Sequence, residues 1–183
     1  NLYKINICGY SMGGRLALSF ALKYPQIINS LILESTSIGI ESYDDRTERL
    51  KEDNKLSILI EDTYKEFLIK WENNPLFSKQ EDRNEYEFNY QRKIRQSQNK
   101  EQLSKSLRSF GIGNMNCYNE EFKYLNFPIY ILNGVEDSKY IKIGREMMNL
   151  NNKCFQYRIN EAMHNTHLEQ SEDFISILLR TDS

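Results

Sequence analysis

Three side chains that could form a proton relay occur in the order Ser11, Asp137 and His164. A serine hydroxyl is a weak nucleophile and a weak base at its ordinary pKa. A neutral imidazole must therefore take its proton, and a carboxylate must hold the ring and stabilise the imidazolium that forms. Each of the three follows the carboxyl end of a predicted strand, where open α/β sheets place their ligands. The sequence thus predicts a serine site of the Ser-His-Asp type.

The serine lies in the stretch 9–13, G-Y-S-M-G, between an apolar run at 5–8 and a helical pattern at 15–22. This succession is typical of a nucleophile elbow, in which the chain reverses sharply and lifts the hydroxyl clear of the sheet. We expect the two glycines because a Cβ at either place would collide with the neighbouring strand or helix. The backbone N–H of Met12 would then be one oxyanion donor. The alternative is an ordinary strand-turn-helix with an incidental serine.

The acid and the base of this relay each have an alternative. Glu136 precedes Asp137; we prefer Asp137 because it follows the strand by the longer turn, although aspartate is also common in surface turns. The two histidines, His164 and His167, fall in one loop and either could be the base. We expect His167 to begin the last helix or to pack beside it. A metal shared by these histidines is a further alternative, which no third histidine or paired cysteine supports.

The elements that must position these residues alternate between strands and helices. Apolar runs predict a buried strand at 4–8 and further strands at 28–33, 129–132 and 154–159, the last at the edge of the sheet. Helical patterns predict connecting or closing helices, including 141–150 and 168–179. Strands joined by helices favour a right-handed crossover and hence a mostly parallel sheet. The predicted fold class is therefore α/β.

Between residues 39 and 118 the pattern changes to consecutive amphipathic helices. They are predicted over 44–60, 64–71, 83–96 and 101–110. We expect an α/β core at 1–38, a helical cap at 39–118 and the rest of the core at 119–183. An all-helical insertion between strands is usually a lid over the site. The alternative is that these helices only pack on the outside.

The amino-acid composition limits the classes of molecule that this protein could bind. The 183 residues carry 24 basic and 26 acidic side chains, a net charge of −2, which argues against nucleic-acid or membrane-surface binding. The three cysteines are far apart and odd in number, which suits free thiols in a reducing compartment such as the cytoplasm. No run of about 18 apolar residues is present, so we expect no membrane-spanning helix.

Five stretches carry a resemblance to a known family. They are 9–18 (GYSMGGRLAL), 31–37 (LILESTS), 71–77 (WENNPLF), 133–140 (NGVEDSKY) and 164–169 (HNTHLE). Together they resemble the MenH family of the α/β-hydrolase superfamily, over essentially the whole chain. The elbow is shared by the whole superfamily, whereas W-E-x-x-P-L-F and several arginines are the more specific signals.

The resemblance implies an α/β-hydrolase fold with an all-helical cap and a lyase activity. The family is 2-succinyl-6-hydroxy-2,4-cyclohexadiene-1-carboxylate synthase of menaquinone biosynthesis. It eliminates pyruvate from a succinyl-enolpyruvyl cyclohexene carboxylate, with the serine acting as a base and without a cofactor or an acyl-enzyme. Carried over to this sequence, the triad is Ser11, Asp137 and His164. We expect a monomer or a weak homo-oligomer.

The resemblance also implies a set of substrate-binding residues. They are Tyr10, Arg15, Arg49, Trp71 and Arg95, with Arg92 as the alternative to Arg95. The implied substrate is a small polycarboxylate, which physically requires cationic donors in its pocket. Without the resemblance, the arginines of the cap would be interpreted as ordinary exposed helix charges.

The sequence departs from the family in three ways. Met163 stands where a glycine usually precedes the histidine, and the stretch between the acid and the histidine is longer than usual. The family's N-terminal strands, with the loop that completes the oxyanion hole, have no counterpart in this chain. A sheet without these strands would expose an apolar edge, so we expect the chain alone to be poorly soluble or inactive.

Two other functions remain open from the sequence. One is a serine hydrolase acting on a small ester or a carbon–carbon bond, which would use the same triad. The other is an inactive remnant or interaction module that kept the fold. The arginines favour the lyase over an esterase, because an esterase for apolar substrates gains nothing from burying cations in its pocket.

Overall fold

The computed structural model describes residues 3–77 and 80–181. Within them the strands are β1 (Ile5–Tyr10), β2 (Ile28–Glu34), β3 (Ile129–Gly134) and β4 (Cys154–Ile159). The helices are α1 (Met12–Lys23), α2 (Tyr43–Asp62), α3 (Tyr64–Glu72), α4 (Gln80–Arg83), α5 (Glu85–Gln96), α6 (Lys100–Phe110), α7 (Asn119–Phe122), α8 (Ser138–Leu150), α9 (Thr166–Glu169) and α10 (Ser171–Thr181). No described helix is long and apolar enough to cross a membrane.

The strands form one parallel sheet in the order β1-β2-β3-β4. Helix α1 connects β1 to β2, and α8 connects β3 to β4, as parallel pairing requires. The strands predicted from apolar runs are all present, each extended by one or two residues at the carboxyl end or, for β4, with the same bounds. The predicted α/β fold class with a parallel sheet is confirmed.

Helices cover both faces of the sheet. Side chains along a strand alternate between the two faces, so neighbouring residues of one strand pack in different cores. On β2, Leu31 and Leu33 join a core that also includes residues of α1 and α8. Ile32, between them, packs in a second core with Phe174 and Ile177 of α10. The central strands are therefore apolar without alternation, as expected for strands buried on both sides.

β1 differs from the prediction of a buried strand. Its side chains are largely exposed, with Ile5 42% accessible and Cys8 also at the surface. The reason is its place in the described sheet, where it pairs with β2 on one side and lies at the edge. β4 lies at the opposite edge, and its polar side chains agree with the prediction of an edge strand.

The chain divides into two compact units. Unit 1 comprises Asn1–Ile38 and Tyr118–Ser183 and contains the sheet; unit 2 comprises Gly39–Cys117 and contains α2 to α6. In unit 2, Ser104 of α6 donates to the carbonyl of Ser57 and to the Glu61 carboxylate of α2, at 3.1 and 2.8 Å. Polar contacts therefore join two helices that are both rich in polar and charged residues.

Two predicted helices are each divided in the structure. The helix predicted over 83–96 begins at Glu85, because the Asn84 side chain accepts from the backbone N–H of Glu87 and caps α5. The helix predicted over 168–179 is replaced by α9 and α10, which break at Gln170. Apolar spacing alone did not reveal either break, since capping depends on single side chains.

The glycines of the elbow correct one prediction. A Cβ on Gly9 would lie 2.6 Å from the carbonyl oxygen of Gly13, as expected. A Cβ on Gly13, however, would meet no described atom within 4 Å, so the expected collision there is wrong. The tight position in the helix is Gly14, whose Cβ would lie 2.8 Å from the side chain of Thr36. The motif's second glycine points away from the packed face, and its neighbour makes the close approach.

We predict that Gly9→Ala lowers the free energy of unfolding by about 1–3 kcal/mol, because the colliding atoms are backbone. Gly13→Ala is the matched control and should change it by no more than about 1 kcal/mol, in the stabilising direction. Urea unfolding of both variants measures the difference. An equal loss in the two variants would contradict this explanation of the elbow.

Candidate active site

The structure brings the side chains of Ser11, Asp137 and His164 together. His164 Nε2 lies 3.2 Å from Ser11 Oγ, and His164 Nδ1 lies 2.8 Å from Asp137 Oδ2. Asp137 and His164 are almost fully buried, at 3% and 2% exposure. With Nδ1–H donating to the carboxylate, Nε2 is left as the acceptor for the serine proton. The arrangement can move a proton from the serine onto a held imidazole.

Ser11 sits in a strained backbone conformation at the end of β1. Its φ of 48° lies in the region that L residues rarely adopt, and α1 begins at the next residue, Met12. The Ser11 N–H donates to the carbonyl of Glu34 at 2.8 Å, and Thr36 Oγ1 donates to the Ser11 carbonyl at 2.7 Å. Residues at and just after the end of β2 therefore bind both the N–H and the carbonyl of Ser11 and stabilise the sharp turn of the chain there.

The Met12 N–H belongs to the first turn of α1, where backbone donors have no carbonyl one turn earlier to bond. It directly follows the serine, as the sequence motif predicts for an oxyanion donor. The first-turn N–H groups and the positive end of the helix dipole suit a developing negative charge beside the serine.

Asp137 is held by both carboxylate oxygens. Oδ2 accepts from the histidine, and Oδ1 accepts from the backbone N–H of Tyr140, so Asp137 also caps α8. Glu136, the alternative acid, is exposed, and its backbone N–H donates to the carbonyl of Ala162 at 3.0 Å. These contacts agree with the preference for Asp137 over Glu136. The burial of Asp137 agrees with it too, since an ordinary turn aspartate would be exposed.

Two tyrosine rings lie against His164. The ring centroids of Tyr10 and Tyr140 are 5.5 and 4.6 Å from that of the imidazole. Burial, and then the negative charge of Glu34 among others, raises the pKa of the Tyr10 phenol well above its ordinary value. The phenol is therefore neutral at physiological pH and retains a hydroxyl proton to donate.

His167 has a carboxylate partner of its own. It lies in α9, and its Nδ1 is 2.8 Å from Oε2 of the buried Glu34. The prediction that it packs beside the last helix is in line with its ring contact to Phe174 of α10, at 5.8 Å. His164 and His167 thus face different carboxylates, and the described ranges contain no group of three side chains able to hold a metal ion.

Sequence reasoning missed two buried carboxylates around the histidine loop. Glu169 accepts from the backbone N–H groups of Met163 and Asn165, at 2.8 and 3.3 Å, on both sides of His164. Glu34 contacts the next residues of the same loop. Both glutamates lie in stretches that carry the family resemblance. Their positions, one at the end of a strand and one shortly after the histidine, are the sequence features that could have revealed them.

Of the predicted substrate-binding residues, Tyr10 and Arg15 lie in unit 1 with the serine. Arg15 is in the first turn of α1, is 8% exposed, and its N–H donates to the Ser11 carbonyl at 3.2 Å. A guanidinium stays charged under all physiological conditions and is costly to bury without partners. Arg15 thus places a buried cationic side chain one turn after Ser11 in α1.

Arg49 and Trp71 lie in unit 2. Arg49 Nε donates to Asp53 Oδ1 one turn further along α2, at 2.8 Å. The Trp71 ring packs between those of Phe67 and Phe77, with centroids 5.7 and 5.4 Å away. Both residues therefore have defined positions within this helical unit.

The two candidates on α5 also differ in their surroundings. The Arg95 guanidinium lies 6.0 Å from the centre of the Phe88 ring, and its carbonyl accepts from the Tyr64 hydroxyl. Arg92, the alternative, pairs with Glu72 at 3.1 Å and is about half exposed. The choice of Arg95, with Arg92 as the alternative, stays a prediction.

Residues 1–171 match the protein family described as alpha/beta hydrolase fold. The chain belongs to this family. The parallel sheet is that of this fold. The fold also has a serine in a strained turn between a strand and a helix, like Ser11 between β1 and α1, and an acid and a histidine that follow in the order of Asp137 and His164.

Curated relatives carry a more specific name. A Bacillus subtilis protein provisionally named 2-succinyl-6-hydroxy-2,4-cyclohexadiene-1-carboxylate synthase is 35% identical over 179 residues, covering 97% of this chain and 65% of that protein. A Salmonella newport protein with this synthase name is 25% identical and covered over 68% of its length. The chain thus spans about two thirds of the length of each of these two relatives.

Solved structures give the same family as the curated relatives. MenH from S. aureus matches with a TM-score of 0.91 and 33% identity, over 97% of this chain and 67% of that one. An enol-lactonase from Burkholderia xenovorans matches with a TM-score of 0.77 and 16% identity, over 98% and 66% of the two chains, which shows the shared fold alone. The resemblance to the MenH family expected from sequence is confirmed.

We predict that Asp137→Asn slows the reaction of Ser11 with diisopropyl fluorophosphate on the order of 10³–10⁴-fold, because an amide selects the wrong imidazole tautomer. In this reaction Ser11 Oγ bonds to phosphorus, fluoride leaves and His164 takes the serine proton. Glu136→Gln, one residue away, is the matched control and should react at the wild-type rate. Equal rates in Asp137→Asn and wild type would remove Asp137 from the relay.

Proposed function

We propose that this chain carries the serine, acid and histidine of a MenH-type lyase. The reaction is the elimination of pyruvate from 2-succinyl-5-enolpyruvyl-6-hydroxy-3-cyclohexene-1-carboxylate, which gives 2-succinyl-6-hydroxy-2,4-cyclohexadiene-1-carboxylate in menaquinone biosynthesis. The single observation that carries the proposal is the relay at 3.2 and 2.8 Å in a chain 35% identical to a relative named for this reaction.

In the proposed chemistry the serine acts as a base. His164 Nε2 takes the hydroxyl proton, and Asp137 stabilises the imidazolium that forms. The Ser11 oxygen then removes a proton from the substrate ring. When that proton is the one on ring C2, the electron pair of the C–H bond forms the C2=C3 double bond, the C3=C4 pair shifts to C4=C5, and the bond from C5 to the enolpyruvyl oxygen breaks. The proton held by His164 passes to the released enolpyruvate, which becomes pyruvate, and His164 returns to its neutral form. No bond forms between the substrate and the enzyme.

Several residues of unit 1 would recognise the substrate. The substrate carries several carboxylates, and Arg15 offers a buried guanidinium one turn after Ser11. The neutral Tyr10 phenol can donate a hydrogen bond, and the Met12 N–H can bind developing negative charge. Arg49, Trp71 and Arg95 of the helical unit are proposed as the remaining binding residues, on the resemblance to the family.

The test is pyruvate release by the full-length protein from the succinyl-enolpyruvyl substrate. Ser11→Ala should lower kcat by at least about 10³-fold, since the base is removed. Ser176→Ala, a partly exposed serine of α10 in the same unit, is the control and should be unchanged. Wild-type protein that releases no pyruvate would refute the lyase.

A serine hydrolase of a small ester is the second candidate, because the same relay could form an acyl-enzyme. An aryl ester separates the two functions. Hydrolysis of the ester without pyruvate release would favour the hydrolase, and neither activity would favour an inactive remnant.

For the lyase, we predict that Arg15→Ala lowers kcat/KM for the polycarboxylate by about 10²-fold, the loss of a charge-assisted contact of about 3 kcal/mol. The rate of Ser11 labelling by diisopropyl fluorophosphate, which carries no carboxylate, should change much less. Arg145→Ala removes an exposed arginine of α8 and is the matched control. Equal losses for the polycarboxylate and the labelling reagent would mean that Arg15 supports the fold rather than the substrate.

A further inference from the structure

Glu34, the last residue of β2, is a buried carboxylate with an unusual set of partners. It is 1% exposed. Oε1 accepts from Thr166 Oγ1 at 2.6 Å and from the His167 N–H at 3.0 Å, and Oε2 lies 2.8 Å from His167 Nδ1. All three contacts are with α9, which begins two residues after His164. The Glu34 side chain therefore anchors the segment that carries the histidine.

The backbone of the same residue anchors the serine. The Glu34 carbonyl accepts from the Ser11 N–H at 2.8 Å. Through one residue, the nucleophile elbow and the histidine loop are tied to a common point at the end of β2. The two atoms that must meet, Ser11 Oγ and His164 Nε2, belong to residues 153 positions apart in the chain.

The geometry of this pair is sensitive to such an anchor. The serine and histidine are 3.2 Å apart, at the long end of a hydrogen bond, so a further displacement would break the contact. A misplacement of about 1 Å at a reacting centre can cost about 10²-fold in rate. Burying a carboxylate is costly, and the three contacts that offset this cost at Glu34 all come from α9, so the carboxylate holds that segment in one position.

We propose that Glu34 is a positioning residue, which sets the separation of Ser11 Oγ and His164 Nε2 by holding α9 with its side chain and the elbow with its carbonyl. This rests on the proposed function only in taking Ser11 and His164 as the reacting pair. It holds for a lyase and for a hydrolase alike.

The competing explanation is that Glu34 only stabilises the fold. Asn151 offers a matched control within the same unit. It is likewise buried, and its side chain makes three hydrogen bonds, to the carbonyls of Phe122 and Leu125 and from the N–H of Lys153. None of these contacts involves the elbow or the histidine loop. Loss of either side chain should destabilise the protein, but only the loss of Glu34 should affect Ser11.

The experiment measures the rate at which diisopropyl fluorophosphate labels Ser11 in full-length protein, with Ser11→Ala as the blank. Glu34→Ala should slow labelling by about 10–100-fold. Glu34→Gln should stay within about threefold of wild type, because the amide oxygen can accept from Thr166 and His167 while the amide nitrogen donates to the neutral Nδ1. Asn151→Ala should label at the wild-type rate once folded.

Thr166→Val covers the case in which Glu34→Ala does not fold. It removes the 2.6 Å hydrogen bond with little change of shape and should slow labelling by a smaller factor. Wild-type labelling rates in Glu34→Ala and Thr166→Val, or an equal slowing in Asn151→Ala, would overturn the proposal. So would the absence of labelling in the wild type, since no reactive pair would then exist to be positioned. Labelling without pyruvate release would refute the lyase and leave the positioning role intact.

Discussion

The hydrogen bond between the buried side chains of Asp137 and His164 is the contact on which the rest of the site depends. It requires the end of β3 and the loop after β4 to approach closely, and Gly134 makes this possible. A Cβ at Gly134 would lie about 2.1 Å from the carbonyl oxygen of Met163, inside the backbone of the histidine loop. The same loop also accepts a hydrogen bond from the strand end, since the Ala162 carbonyl accepts from the N–H of Glu136.

Burying this pair places negative charge in the interior, and the structure meets that cost with hydrogen bonds. Asp137, Glu34 and Glu169 are all nearly inaccessible, and each carboxylate accepts from at least two groups. The same surroundings act on the neighbouring tyrosine: burial first, and then the negative charge of these acids, raise the pKa of the Tyr10 phenol. The histidine loop is thus held from both sides by carboxylates that are not themselves the acid of the relay.

The fold alone leaves the chemistry open. The same fold occurs in neighbours named as an enol-lactonase and as MenH, and fold does not imply function. What can separate a lyase from a hydrolase is the charge around the serine. Under the proposed function, Arg15, buried one turn into α1, is the residue of unit 1 predicted to make that distinction. The proposed activity is therefore tested best by comparing substrates that differ in charge.

The sequence alone determined the parallel α/β class, and it predicted the helical segments between β2 and β3 and the three side chains, Ser11, Asp137 and His164, that the structure brings into contact. These follow from local signals: apolar runs, a strand before and a helix after G-x-S-x-G, and an acid and a histidine each after a strand. Only the tertiary structure decided that Gly14 rather than Gly13 makes the close approach, that β1 is exposed, and that Glu34 and Glu169 hold the histidine loop. Those features depend on which side chains meet across distant segments, and local periodicity carries no information about such contacts.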